Sequence, residues 1–589
     1  MSILSALSRA YDRLAADDPE TTPAFGYSSE KIGFLISLNE DGTPAGQPTN
    51  LRQGSGKKVV APMMAVPQPA KRTSGIAPNF LWDKTSYVLG VTAGDGKRLA
   101  EEHDAFVLRH REALAQSDDP GLKALLAFLA SWSPDQFDTL DWPAAMKDQN
   151  VVFCLEQERL NHIRLHDRPA ARRQWAALSS AGARTQAVCL VTGEKSAIAR
   201  LHPAIKGVWG GQTSGVSLVS YNKDAFESYG HVQGDNAPVS EAAAFAYTAA
   251  LNKFLEQGSS NRIQIGDAST VFWADASDAP AARLAEDAFL AMFDTVDETR
   301  QAGEVRAILD KIRLGQPVRD FAPQLADGVR FSVLGLAPNA ARVSVRFWLE
   351  GDFGALAERY GRYVAETRIE PPPRDPHPPL WRTLMETAVL GKRENVPPNL
   401  AGECMRSILT GTPYPWTLLA NVLMRIRSDK QVTALRVALL KAILIRNLDH
   451  KEALVAFDPD NTNKGYLLGR LFAVYEHVQT AALGRDVNAT IKDKFYGSAS
   501  AQPRKVFHLL DSGSNNHLSK VGKQKPGFRV TLERQIGAIM DMMSPSDDPF
   551  PASLSSEQQA LFGLGYYHQR NEFFRTKSHD MAVQEELAP

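Results

Sequence analysis

Six prolines fall within nine residues at 371–379, in the order Pro-Pro-Pro-Arg-Asp-Pro-His-Pro-Pro. Proline fixes φ and lacks an N–H, so neither a helix nor a sheet ladder runs through such a segment. The run is therefore stiff, extended and a divider of the chain. Its two sides differ in pattern. Before it, strands are predicted at 31–38, 151–156, 187–191, 216–221, 269–273, 329–336 and 342–349, and helices at the N-terminus, 97–129 and 284–314. Residues 51–71, with Gly54, Gly56, Lys57, Lys58 and three prolines, read as an irregular loop. After the run strand signals nearly vanish, and 384–390, 405–409, 416–424, 432–448, 466–483 and 532–543 carry helical spacing. The predicted fold class is α+β, multidomain. A mixed α/β region spans 1–370, a Pro-rich linker 371–380, and an all-α helical-bundle C-terminal domain 381–589.

At 589 residues the chain exceeds what one hydrophobic core organises. A formal net charge of -1 argues against an evenly basic nucleic-acid binder, so phosphate contacts must come from local patches. One such patch exists. Residues 464–534 hold twelve Lys/Arg against five Asp/Glu, whereas 535–589 hold three against eight. Basic helices along a phosphate backbone gain affinity by counterion release, without sequence preference. The alternative for such a segment is a solvated helix face. Upstream, Arg425, Arg427, Lys430, Arg436, Lys441 and Arg446 extend the basic character, but their apolar spacing says mostly core. Cys154, Cys189 and Cys404 are odd in number and widely spaced, which excludes a CxxC motif and a disulfide framework and suits a reducing cytoplasm. Arg9, Asp12 and Arg13 interrupt any signal-peptide run; Ile3, Leu4, Leu7, Tyr11 and Leu14 make a helical stripe instead. The expectation is a cytoplasmic chain without membrane contact.

Catalytic motifs are weak throughout. His162 and His166 stand at i, i+4 with Asp167 following, a spacing that on a helix could hold a metal ion, but no third ligand stands out. Cys189 with His202 could be nucleophile and base, yet Cys189 lies in an apolar run where a buried, inert thiol is usual. Gly94-Asp95-Gly96-Lys97 and the glycines at 207–215 match no Walker loop. The expectation is a binding protein, not an enzyme, with no cofactor and no metal.

The stretch 206–238, KGVWGGQTSGVSLVSYNKDAFESYGHVQGDNAP, is the informative one. Gly207, Gly210, Gly211 and Gly215 surround Gln212, Thr213 and Ser214, so backbone and short polar groups can press against a polar surface such as a nucleic-acid groove. Lys71, Arg72, Thr73 and Ser74 offer a similar mix. Asn79, Asn222 and Asn236 add side chains that donate and accept, although an isolated asparagine is commonly a turn or cap residue.

This stretch resembles the central signature of the large subunit of type I-C CRISPR surveillance (Cascade) complexes. The blocks PAKRTSGIAPNFLWDKTSYVLG, LGLAPNAARVSVRFW and KGYLLGRLFAVYEHVQTAALGRDVNATIKDKFYGSASAQPRKVF follow the same resemblance in order, as does the ending FGLGYYHQR. The resemblance implies recognition of the protospacer-adjacent motif (PAM) in double-stranded DNA, duplex opening for R-loop formation with the crRNA, and help in recruiting a separate helicase-nuclease. Its implied partners are crRNA, double-stranded target DNA and the displaced strand, the backbone, crRNA-end and small subunits, and that helicase-nuclease. Base pairing then carries most of the sequence information, so the subunit needs contacts and no active site. On this reading Lys71, Arg72, Thr73, Ser74 and Asn79 form one DNA-facing loop. Gly210, Gly211, Gln212, Thr213, Ser214 and Asn222 form the second. Arg470, Lys492, Lys494, Arg504, Lys505 and Lys520 are the phosphate-contact candidates. The C-terminal region resembles the family's small-subunit-like bundle, and about 464–589 is expected to be made separately from an internal start. No methionine lies between Met424 and Met540, so that start would use a non-AUG codon, with Val455, Leu467 and Leu468 as candidates. Two alternatives stay open: a metal-dependent nuclease built on His162, His166 and Asp167, and an architectural subunit without DNA readout.

Overall fold

The computed structural model describes residues 2–18, 22–54, 59–70, 72, 75–180, 185–276, 278–294, 303–450, 455–484 and 488–586. Two compact units emerge. One holds Met1–Ile205 with Ser217–Lys253, and the other Lys206–Val216 with Phe254–Pro589.

In the first unit the predicted N-terminal helix forms at Ile3–Asp17, capped by Ser2 and burying Ala6, Leu7 and Ala10. The predicted strand at 31–38 is two strands, Tyr27–Lys31 and Phe34–Leu38. Tyr27–Lys31 pairs antiparallel with Met63–Pro67, so a strand occupies part of the segment expected to be irregular. Burial explains it: Val66 sits with Ile32 and Leu35 in a small core cluster. Phe34–Leu38 runs parallel to Asn150–Leu155 in a four-stranded sheet completed by Thr49–Asn50 and Trp82–Lys84. The crossover between those parallel strands holds helices Leu99–Leu114 and Pro120–Ser131. These replace the single helix expected at 97–129, because Asp119 caps a new start by accepting from Gly121 N at 3.0 Å and Leu122 N at 3.1 Å.

The second unit is built on an antiparallel sheet ordered Arg342–Asp352, Arg330–Asn339, Ala268–Asp275, Arg262–Ile265. Phe272, Phe289, Phe331 and Phe353 form its aromatic centre, with successive ring centroids 4.6, 4.9 and 5.3 Å apart. One core runs from this sheet into the helices Pro398–Thr410, Trp416–Asp429, Ala434–Leu448, Lys464–Leu483, Ile491–Ala501, Pro503–Gln524, Pro526–Asp541 and Ser556–Glu586. The α+β class therefore holds, with strands early and helices late. The proline run at 371–379 marks where strands end but lies inside the second unit. Glu370 N donates to Val455 O at 2.7 Å and Tyr567 Oη to Pro371 O at 2.6 Å, tying the run's start to a loop residue and to the helix Ser556–Glu586 of the same unit.

Glycine permits one close helix contact. A Cβ at Gly469 would lie 2.1 Å from Phe562 O, and one at Gly565 would lie 2.1 Å from Tyr466 O. Only glycine permits that approach of Lys464–Leu483 to Ser556–Glu586. Asn463 caps the first of these helices, so the expected starts at Leu467 and Leu468 fall inside it. The basic residues at 425–446 divide as their apolar spacing suggested. Arg425, Arg436, Lys441 and Arg446 lie in the core, whereas Arg427 and Lys430 are exposed. Arg446 pairs with buried Glu366 at 2.8 Å, Tyr414 Oη donates to the same carboxylate at 2.8 Å, and Lys441 Nζ donates to Glu366 O at 2.9 Å.

Candidate nucleic-acid interface

Of the first expected DNA-facing loop, Lys71, Thr73 and Ser74 lie outside the described residues. The rest is organised around the buried carboxylate of Asp83. Arg72 Nη2 pairs with Asp83 Oδ2, and Arg72 Nε donates to Ala77 O at 2.7 Å. The guanidinium also lies 4.1 Å from the centroid of the Tyr87 ring. Asn79 is buried; its amide N donates to Asp83 Oδ2 at 2.8 Å and its Oδ1 accepts from Ala70 N at 3.0 Å. Burial pushes the Asp83 carboxyl up, against the lowering pull of Arg72. The assignment of Asn79 as a DNA-facing side chain is thus corrected, since Asn79 is buried, whereas Arg72 stays exposed while pairing with Asp83. Behind them Leu81, at φ 65°, donates its N–H to His110 Nε2 at 2.8 Å. His110 is fully buried, which lowers its pKa to about 4.

The glycine-rich loop is built the other way. It belongs to the second unit, where Val208 and Val216 are buried as its two anchors. Trp209 N donates to Ser269 Oγ on the sheet at 2.8 Å. Gly211 N donates to Val208 O and Gly215 N to Gln212 O, each at 3.0 Å, closing two tight turns. Gly207 has φ 82°, and a Cβ there would lie 2.5 Å from Leu255 O. A fixed backbone therefore holds Gln212, Thr213 and Ser214 exposed, together with Trp209, which is 65% exposed. Trp209 was not among the expected site residues, although an indole between Val208 and Gly210-Gly211 is a visible signal. Gly210, at φ 71°, and Gly211 complete the turns. The strand expected at 216–221 does not form; buried Val216 is followed by bends and isolated bridge residues. Asn222 is exposed on the first unit's side of the division. Asn236 is a turn residue, donating to His231 O and Gln233 O and accepting from Ser228 N.

Among the phosphate candidates, Arg470 is corrected. It is buried, donates to Gln569 Oε1 at 3.1 Å and Pro459 O at 2.8 Å, and lies 4.9 Å from the Phe457 ring centroid. Arg504 is exposed but pairs with Asp548 at 2.7 Å. Lys494, Lys505 and Lys520 are exposed and Lys492 is half-buried, with no ion pair to any of the four among the described residues. They stand on three turns of surface: Lys492 and Lys494 on Ile491–Ala501, Lys505 and Lys520 at the two ends of Pro503–Gln524.

The other candidates separate. His162 ends a 3-10 helix in the left-handed region, while His166 is buried in a later 3-10 turn with its pKa lowered by burial to about 4. They share no helix face, so the spacing argument for a metal pair fails. Cys189 is buried as expected, but its sulfur accepts from Ser240 N at 3.2 Å and Val191 N at 3.4 Å. Burial pushes this thiol up, yet hydrogen bonds from Ser240 and Thr192 outweigh it and bring the pKa down to about 7. His202 Nδ1 is within 2.6 Å of Tyr247 Oη.

The family model described as CRISPR-associated protein (Cas_Csd1) matches residues 7–574. The chain belongs to the Cas_Csd1 family. A match of that extent covers both units and every candidate residue discussed above. Membership places the chain among CRISPR-associated proteins that work with other Cas proteins in a Cascade-like complex. No curated protein matches the chain. Among the described residues of this Cas_Csd1 chain, no helix is long and apolar enough to cross a membrane.

Proposed function

We propose that this Cas_Csd1 chain is the non-catalytic large subunit of a type I-C Cascade complex. It recognises the PAM in double-stranded DNA, promotes duplex opening and R-loop formation with the crRNA, and helps recruit the helicase-nuclease. The observation that carries the reading is the glycine-rich loop: short donors and acceptors displayed on a clamped backbone, with an exposed indole beside them. A duplex groove demands such groups at short range, because base edges lie at its floor. An apolar blade such as Trp209 suits the unstacking of a base step, which is how duplex opening starts. The exposed lysines of 491–524 then supply sequence-independent attraction for the strands.

The test uses the assembled complex. Gln212→Ala combined with Thr213→Ala should impair binding to duplex targets that carry the correct motif. Binding to a single-stranded target should change little, because pairing with the guide then needs no opened duplex. Equal losses on both substrates would place the defect in assembly and overturn the assignment of this loop.

A further inference from the structure

A cavity of about 640 Å³ opens in the second unit where the helix Lys464–Leu483 meets Pro526–Asp541 and the stretch Arg570–Phe574. Its volume falls in the range of small-ligand sites, roughly 300–1,000 Å³. Four rings line it. His477 and Phe573 stack with centroids 4.1 Å apart and planes 11° apart, and Phe528 stands edge-on to His477 at 6.0 Å. Phe574 is the fourth and is 49% exposed. Three cations, Lys492, Lys525 and Arg570, share the same lining. Its carboxylate, Glu476, accepts from Tyr566 Oη at 2.6 Å and lies 3.8 Å from Arg570 Nε, so it is held back from the opening.

This pairing of chemistries is selective. Aromatic rings offer stacking faces to any base, and ammonium and guanidinium groups offer phosphate contacts, so together they match an unpaired nucleotide. An apolar partner helix would leave Lys492 and Lys525 without counter-charges, and an acidic peptide would leave the ring faces unused. We propose that this cavity captures an unpaired nucleotide of a single-stranded nucleic acid, its base stacked on the ring wall and its phosphates met by Lys492, Lys525 and Arg570. The proposal rests on the DNA-binding reading above and extends it: a subunit that opens a duplex gains by holding an unpaired strand. Lys492, picked out by charge alone in the sequence, acquires a specific neighbourhood here.

The experiment uses the full chain and a single-stranded oligodeoxythymidylate carrying one 2-aminopurine, beside an RNA of the same sequence. Stacking should quench the 2-aminopurine on binding, and comparison of the two oligonucleotides shows which sugar the cavity prefers. Phe574→Ala should weaken binding roughly 5- to 150-fold, the usual span for one lost base–aromatic stack, and Phe574→Trp should retain it. Lys525→Ala should lower the log–log salt slope by roughly 0.7. Failure to quench with either oligonucleotide overturns the proposal, as does a Phe574→Ala chain that binds like the wild type. Duplex binding without quenching would refute the cavity alone. Quenching without motif-dependent duplex binding would refute the PAM reading and leave the cavity standing.

Discussion

The segment around Arg72 and the segment around Gln212 offer the same residue types, small polar groups beside glycine and a cation, yet they spend them in opposite directions. The Arg72 guanidinium and the Asn79 main-chain N–H converge on one buried carboxylate, Asp83, and tie their segment into the first unit. Gln212, Thr213 and Ser214 point outward, because main-chain bonds and the buried Val208 and Val216 already hold their loop. What separates the two is the nearest unsatisfied partner. A carboxylate buried within reach captures the donors around it, here one guanidinium and main-chain N–H groups, since an unpaired buried charge is costly. Where the backbone satisfies itself, side chains are left for a ligand.

The contrast is most exposed to failure at Arg72. Arg72→Ala strands Asp83 with only backbone donors and should cost about 3–5 kcal/mol of stability, measured by urea denaturation of the full chain. An unchanged midpoint would mean that the pair does not hold the first unit together.

Acid should act on the same unit next. His110 supports the segment behind Asn79 and is neutral in the fold, with its pKa lowered from 6.5 to about 4. Between those values the unfolded chain takes up a proton that the folded chain refuses, so stability falls as pH falls. Above pH about 6.5 the contribution is complete; by about pH 4 roughly 3 kcal/mol should be gone. Buried His166 titrates in the same window and adds to the loss. A denaturation midpoint that stays flat from pH 7 to 4 would contradict the buried, neutral state of both rings.

Much of the architecture was legible because it follows from period and punctuation. The division into strand-bearing and helical parts came from alternation before the prolines and helical spacing after them. The helix Pro503–Gln524 was missed although its stripe of Val506, Phe507, Leu510, Leu518 and Val521 is regular; Ser, Asn and Gly on its outer face hid it. Arg470 was misplaced against a signal also present. The helix Lys464–Leu483 is apolar on nearly every face, and such a helix is buried, so a lone arginine within it belongs inside. The Arg72–Asp83 pair was not legible at all. Which carboxylate an arginine meets is set by the packing of Trp82–Lys84 in its sheet, and no local pattern encodes that.

The glycine-rich loop should be less costly to disturb, and its response separates backbone from side chain. Gly207→Ala forces a Cβ to 2.5 Å from Leu255 O at φ 82°, so the chain must shift or strain. About 2 kcal/mol of stability should be lost, the usual scale for one strained residue. Because Trp209 follows two residues later, duplex binding should fall with it. A variant as stable as the wild type would show that the loop is not clamped at Gly207.

The smallest effect on stability is expected where the effect on binding is largest. Gln212 and Thr213 are exposed, and neither side chain makes a hydrogen bond or ion pair that holds the fold among the described residues. Replacing both by alanine removes no buried area and no cap, so the denaturation midpoint should stay within about 0.5 kcal/mol of wild type. The Arg72→Ala chain inverts this pattern, losing stability through a residue whose guanidinium is paired with buried Asp83. Measuring both quantities on both variants therefore tests the inward and outward assignments together. If Gln212→Ala with Thr213→Ala proved as destabilising as Arg72→Ala, the glycine-rich loop would be one more structural turn. If it left stability intact and abolished motif-dependent duplex binding, the polar groups of that loop would be there for the DNA.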